Sequence, residues 1–283
     1  MQRQLKTVIP ALGTSDGAGV RIRRSLGQSQ QARFDPFLML DEFNSESSDD
    51  YAGGFPSHPH RGFETVSYML EGHMLHEDHM GNRGDLKSGD VQWMTAGRGV
   101  IHSEMPQQEE GRMRGFQMWL NLPAAEKMKP ATYRDIPASE IPTATLTNGG
   151  TVKVIAGEVE VDGKTVAGPI QGLSTEPRYW DVALPAGATF EQLIAKGLNA
   201  FVYVYEGDLT VGEPERKQES GNAGLLSDGE ALTLRAGKQG TRALVLAGKP
   251  IKEPIAQYGP FVMNTPDEIE EAINDYRAGR LAG

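Results

Sequence analysis

Short apolar runs recur along this chain about every 8–12 residues, each closed by glycine, proline or an acidic turn, the pattern of an all-β barrel or sandwich. Phe63-Glu-Thr-Val-Ser-Tyr-Met-Leu-Glu71 ends at Gly72 and is rich in β-branched and aromatic residues. Val91–Met94 follows the turn at Gly89-Asp90, Val100–Met105 follows Gly97-Arg-Gly99, and Gly115–Leu122 stops at Pro123. Each predicts a strand, because such side chains suit a pleated, half-buried surface. Upstream, Val8/Ile9 and Val20/Ile22 predict a first strand and a loop, and Phe34–Phe43 a buried strand with a proline at its start. The polar stretch 44–51 predicts an exposed loop. Pro123, Pro130, Pro137 and Pro142 fall in a stretch that reads as a linker over 123–150. The strand pattern then returns at 152–156, 179–184, 201–205, 231–234 and 243–246.

Two segments look alike. Val66-Ser-Tyr-Met-Leu-Glu-Gly72 and Val202-Tyr-Val-Tyr-Glu-Gly207 are both strands closed by Glu-Gly. Each is followed by a glycine-acidic turn, Gly89-Asp90 and Gly229-Glu230, and another short apolar run. This order predicts two similar β units from a duplication. One helix is expected, at the C-terminal end. Thr265 caps it, Pro266 takes its first position, Glu268 completes a capping box, and the helix runs over 266–278. Ile269, Ala272, Ile273 and Tyr276 share one face, which predicts docking on the outside of a sheet.

The composition narrows the function. The chain has 283 residues, 34 Gly and 17 Pro, and a net charge of −10. Arg21, Arg23 and Arg24 form a local cluster only, so direct nucleic-acid binding is not expected. The absence of cysteine excludes disulfides, zinc ribbons, iron–sulfur clusters and thiol nucleophiles. No run approaches the ~18–20 apolar residues of a membrane span. The first residues lack a signal-peptide core, and a cytoplasmic location is expected. No Walker loop, dinucleotide fingerprint or nucleophile elbow is present.

All six histidines lie between His58 and His102. In a strand, residues i and i+2 share a face. His58 and His60 therefore present two imidazoles together, and His102 and Glu104 an imidazole and a carboxylate. Two such strands facing each other can put three histidines and one glutamate on one ion. These donors suit Fe(II), Mn, Ni, Co, Cu or Zn and leave coordination positions open. Glu64, four residues after His60, is either a ligand in place of Glu104 or an acceptor behind a ligand imidazole. His73, His76 and His79 fall on a hairpin and its loop, where exposed or locally hydrogen-bonded roles are expected.

At this point the chain resembles a family. Gly54-Phe-Pro-Ser-His-Pro-His-Arg-Gly-Phe-Glu-Thr-Val66, the run 89–106, Phe34–Phe43 and 257–265 look like pirins of the cupin superfamily. His58, His60 and Glu64 meet the first cupin pattern, with Gly72 one residue late. Gly89, Gly97 and His102 meet the second, with one residue inserted before His102 and Thr95 where proline is usual. The resemblance implies a metal held by His58, His60, His102 and Glu104, and moves Glu64 behind them. It implies a bicupin: two antiparallel β-barrels of jelly-roll type, face to face, only the first holding metal. The expected domains are 1–135, with the metal, and 136–283, without histidine and ending in the helix.

Two activities follow from the resemblance. One is a metal-dependent dioxygenase, with Fe(II) as the expected ion, acting on a flavonol-type aromatic such as quercetin with dioxygen. Glu104 would then be ligand and candidate base. The other is an iron-dependent redox-sensing binding protein, a transcriptional co-regulator or enzyme modulator with a protein partner. A monomer is expected in either case.

Overall fold

The computed structural model describes residues 1–29 and 32–283. Among these, the chain is almost entirely strand and turn, with one α-helix, Pro266–Arg277. No described helix is long and apolar enough to cross a membrane. Two compact units form. One comprises Leu12–Arg33, Phe37–Ala138 and Ile251–Gly283, and the other Met1–Ala11, Phe34–Pro36 and Ser139–Pro250. The division differs from a linear cut near residue 135 because each end of the chain joins the other half's unit. Leu5–Pro10 pairs with Asn222–Leu226, a long-range ladder that no local pattern announces.

The first unit has a seven-stranded antiparallel sheet. Its order is Thr132–Ile136, Val91–Thr95, Phe63–Glu71, Met113–Asn121, Phe37–Ser45, Val20–Arg24 and Leu12–Asp16. A second sheet of four strands runs Phe55–His60, Val100–Pro106, His73–Asp78 and Arg83–Lys87. The second unit repeats the first order strand for strand: Leu5–Pro10, Asn222–Leu226, Asn199–Val211, Ala231–Gly248, Arg178–Leu184, Thr151–Ala156 and Thr143–Thr145. Its counterpart of the four-stranded sheet is joined on, because two long strands run through both parts. Thr189–Leu193 pairs with one end of Ala231–Gly248, and Arg216–Glu219 with one end of Asn199–Val211. These jelly-roll sheets give the bicupin architecture. Their ladders do not close into full barrels.

The repeat predicted from Glu-Gly is real at its first half. Gly72, with φ 122°, separates Phe63–Glu71 from His73–Asp78. In the second unit the strand continues, and bulges flank Glu206-Gly207. An extra residue bends a strand and increases its twist, which carries the chain from one sheet to the next. The second half needs correction. Gly89-Asp90 leads into Val91–Thr95, whose topological counterpart is Asn222–Leu226. Gly229-Glu230 leads into Ala231–Gly248, whose first part corresponds to Val100–Pro106. Short apolar runs after glycine-acidic turns are common to both places and do not distinguish them.

The stretch 123–150 is not a bare linker. It contains Thr132–Ile136, an edge strand on Val91–Thr95, and Thr143–Thr145, an edge strand on Thr151–Ala156. Edge strands pair on one side only and tolerate the flanking prolines. The helix carries its predicted capping box: Glu268 N–H donates to Thr265 Oγ1, and Thr265 N–H to Glu268 Oε2. Ile269 and Ala272 are buried with Phe261, Met263 and Leu281, against Ile101 and Ile273. Ile101 points away from the face that carries His102, so the helix lies outside the four-stranded sheet. Tyr276 is 42% exposed and only borders this cluster.

Candidate metal centre

The four-stranded sheet sets the site. Val100–Pro106 pairs with Phe55–His60 so that His102 faces His58 and Val100 faces His60. The register shifts between His102 and Glu104, and Glu104 comes opposite Phe55. On its other side, the same strand sets His102 opposite Asp78 and Glu104 opposite His76. Strand alternation is visible in burial: Val100, His102 and Glu104 are buried, and the residues between them are half-buried.

The strand carrying His58 and His60 ends at a tight turn. Gly62 has φ 91°, and a Cβ there would lie 2.0 Å from the Val262 carbonyl oxygen, so only glycine fits. Arg61 turns away from the histidines. It donates to the Arg98 carbonyl and forms an ion pair of 3.0 Å with Asp275 of the helix. Lys127 ties the same corner by donating to the Gly62 carbonyl at 2.7 Å, Asn121 Oδ1 at 2.6 Å and the Val262 carbonyl at 2.9 Å.

One ligand atom from each of His58, His60 and His102 lies within 4.8 Å of the others. His58 Nε2 and His60 Nε2 are 3.0 Å apart. Two imidazole nitrogens about 2.1 Å from one ion, at a right angle, would be about 3.0 Å apart. Burial pushes the imidazoles of His60 and His102 well below their ordinary pKa, and the neighbouring imidazoles push the same way. Both are therefore neutral at pH 7 and keep lone pairs for a metal. His102 Nε2 is buried with no hydrogen-bond partner. A buried ring nitrogen without a partner is costly in a finished structure. Three imidazoles that converge in this way can hold a metal ion.

Glu104, two residues beyond His102, is buried, but its carboxylate is not among the converging ligand atoms of the three histidines. Its Oε1 accepts from Ser67 Oγ at 3.0 Å, and its Oε2 from Gln117 Nε2 at 3.4 Å. These neutral donors hold the carboxylate without a cation. Glu104, His58 and His60 line one cavity of about 720 Å³. Its walls include Leu38, Met39, Phe43, Phe55 and Trp119. The Trp119 ring lies 5.4 Å from the His60 ring and 4.4 Å from Phe63. Arg24 and Asp41, also on the wall, neutralise each other in a two-pronged ion pair.

Glu64 lies on the other sheet, opposite Thr95, and accepts from Thr95 Oγ1 at 2.7 Å. Burial raises its carboxyl pKa. No imidazole is among its described hydrogen-bond partners. Of the three hairpin histidines, two behave as expected. His73 pairs with the exposed Asp85 at 2.8 Å, and His79 Nδ1 accepts from the Ile101 amide at 3.3 Å. His76 does not. It is 1% exposed, and its Nδ1 lies 3.3 Å from His102 Nδ1. The signal was present in the strand period: His76 is two residues from Met74, so it shares that residue's buried face.

Comparisons with known proteins give the family. A family model described as pirin matches residues 19–120, and one described as the pirin C-terminal cupin domain matches residues 179–282. A Pseudomonas aeruginosa protein named "Putative quercetin 2,3-dioxygenase" is 55% identical over 281 residues, covering 99% of this chain and 97% of its own. The chain belongs to the pirin family. Human pirin is 43% identical over 269 residues, 93% of this chain and 88% of its own. A crystal structure of quercetin 2,3-dioxygenase from Acinetobacter baumannii superposes with a TM-score of 0.89 at 34% identity, covering 100% of this chain and 99% of that one. In this chain His58, His60 and His102 stand together, and Glu104 lines one cavity with His58 and His60.

Proposed function

We propose that this chain is a metal-dependent dioxygenase that opens a flavonol-type aromatic such as quercetin. Its ion is Fe(II), held by His58, His60, His102 and Glu104. The observation that carries the reading is the convergence of His58, His60 and His102 at a cavity of about 720 Å³ that Glu104 also lines. That volume falls in the range of pockets that enclose a small organic ligand, about 300–1,000 Å³. The names of the P. aeruginosa and A. baumannii relatives support the same substrate class. Mn, Ni, Co, Cu or Zn would satisfy the same donors.

When bound, Fe(II) supplies Lewis acidity and one-electron chemistry towards dioxygen. The chain supplies the rest. Phe43, Phe55 and Trp119 give flat apolar surface for an aromatic ring and exclude water from it. Glu104 faces the same cavity and takes the proton of the substrate hydroxyl. The Ser67 and Gln117 hydrogen bonds hold its two oxygens in place for that transfer. The neutral imidazoles keep their lone pairs turned to the ion rather than to protons.

The test is an aerobic assay of iron-loaded protein with quercetin, following oxygen uptake and carbon monoxide release. Both are expected in the wild type and absent in His60→Ala. Glu104→Gln is expected to lower kcat. Iron-loaded protein that consumes no oxygen over a panel of flavonols would reject the reading.

A further inference from the structure

His76 has no place in the ligand set, yet it is as buried as the ligands. Its ring is close to two others: the His102 ring at 5.0 Å and the Tyr133 ring at 4.7 Å, the latter inclined by 31°. Tyr133 is itself fixed, because its hydroxyl meets the Asp135 carboxylate at 2.6 Å. His76 is thus clamped with its Nδ1 against His102 Nδ1, 3.3 Å away.

Two neutral imidazoles that meet through their Nδ1 atoms share one proton. Each ring carries a single N–H, and one Nδ1 must donate while the other accepts. If His102 donates, its Nε2 carries a lone pair. If His76 donates, His102 Nε2 carries a hydrogen and cannot bind a cation. His102 Nε2 and His76 Nε2 are both buried without a hydrogen-bond partner, and of the two it is the His102 ring that lies 4.3 Å from His58 and 4.9 Å from His60. Only the first arrangement gives the cluster three free lone pairs.

We infer that His76 is a positioning residue: it accepts the Nδ1–H of His102, fixing the tautomer and ring plane in which His102 Nε2 is free to bind the metal. This role rests on the metal reading above. Outer partners of ligand histidines are commonly carboxylates or carbonyls. Here the partner is a second imidazole, packed against the Tyr133 ring. Its backbone position opposite Glu104 ties both members of the His102/Glu104 pair to one strand.

The test uses three proteins: wild type, His76→Asn and His76→Phe. Asparagine can place an amide oxygen near the Nδ1 position; phenylalanine keeps the stacked ring and removes the acceptor. Nitrogen-15 NMR of histidine-labelled, metal-free protein reads the His102 tautomer directly, and Co(II) titration reads affinity and the visible spectrum of the site. In the wild type, His102 is expected as the Nδ1–H tautomer. His76→Phe is expected to mix the tautomers, change the Co(II) spectrum and weaken Co(II) binding about 10–100-fold, with His76→Asn recovering most of the loss. An Nε2–H tautomer in the wild type would overturn the inference. So would a folded His76→Phe protein with unchanged tautomer and Co(II) affinity. Wild-type protein that binds no Co(II) would instead defeat the metal reading. If His76→Phe does not fold, the wild-type tautomer and the His76→Asn affinity still decide the question.

Discussion

The two units share one strand order and fill it with opposite chemistry. In the second unit, the strands that correspond to the metal-site strands carry Phe190, Leu209, Val211, Leu232 and Leu234, all at most 1% exposed. They belong to one continuous apolar cluster with Trp180, Val182 and Val245. In the first unit, the matching strands carry His58, His60, His76, His102 and Glu104. The jelly roll therefore does not depend on a metal site for its form. Five inward polar side chains displace apolar packing, and each must find a partner, an ion or a cavity. The comparison separates what the fold requires from what the chemistry requires.

The sharpest break in the comparison is at the ligands. His60→Ala or His102→Ala is expected to weaken metal binding by more than about 100-fold, beyond what losing an outer partner costs. Metal content per purified chain, measured by elemental analysis, checks this. Metal retained in a His58, His60 and His102 triple alanine variant would show that the site lies elsewhere. Next is the apolar counterpart. Phe190→Ala is expected to cost about 3–5 kcal/mol, from lost burial and the cavity left behind, with metal content unchanged. Denaturant unfolding followed in parallel with metal analysis checks both halves.

A smaller effect comes from acid. His60 and His102 have folded pKa values held below the ordinary value. The unfolded chain takes up their protons below about pH 6.5, while the folded protein resists them. The unfolded state then binds more protons, so chelator-treated protein loses stability as the pH falls from 7 towards 5. Melting midpoints across that range should fall less steeply in His102→Leu than in the wild type. The smallest change concerns the other candidate carboxylate. Glu64→Gln keeps an acceptor for Thr95 and is expected to cost less than about 1 kcal/mol. Its metal affinity should match the wild type; a large loss would bring Glu64 back into the ligand set.

Much of the first unit was legible because strand alternation is local. His58/His60 and His102/Glu104 could be assigned to one face from the period of two alone, and the Thr265 capping box was written in four residues. What was missed depended on distance or on a competing local pattern. The place of His73, His76 and His79 on a hairpin and its loop points to exposed roles for all three, although in a strand the middle one turns inward and its neighbours do not. The pairing of Leu5–Pro10 with residues more than 200 positions away leaves no trace in either segment. The two edge strands inside 123–150 are short and flanked by proline, so they resemble the connection that carries them.

The crossing of the chain ends has a consequence for synthesis. When residues up to 138 have been translated, His58, His60, His102 and Glu104 all exist, but the segment Ile251–Gly283 of their unit does not. Arg61 then lacks Asp275, Lys127 lacks the Val262 carbonyl, and the turn at Gly62 lacks the backbone packed against it. The metal corner can be finished only after the whole intervening unit has left the ribosome. Premature termination after residue 250 would therefore release a chain with every ligand present and the corner behind them open.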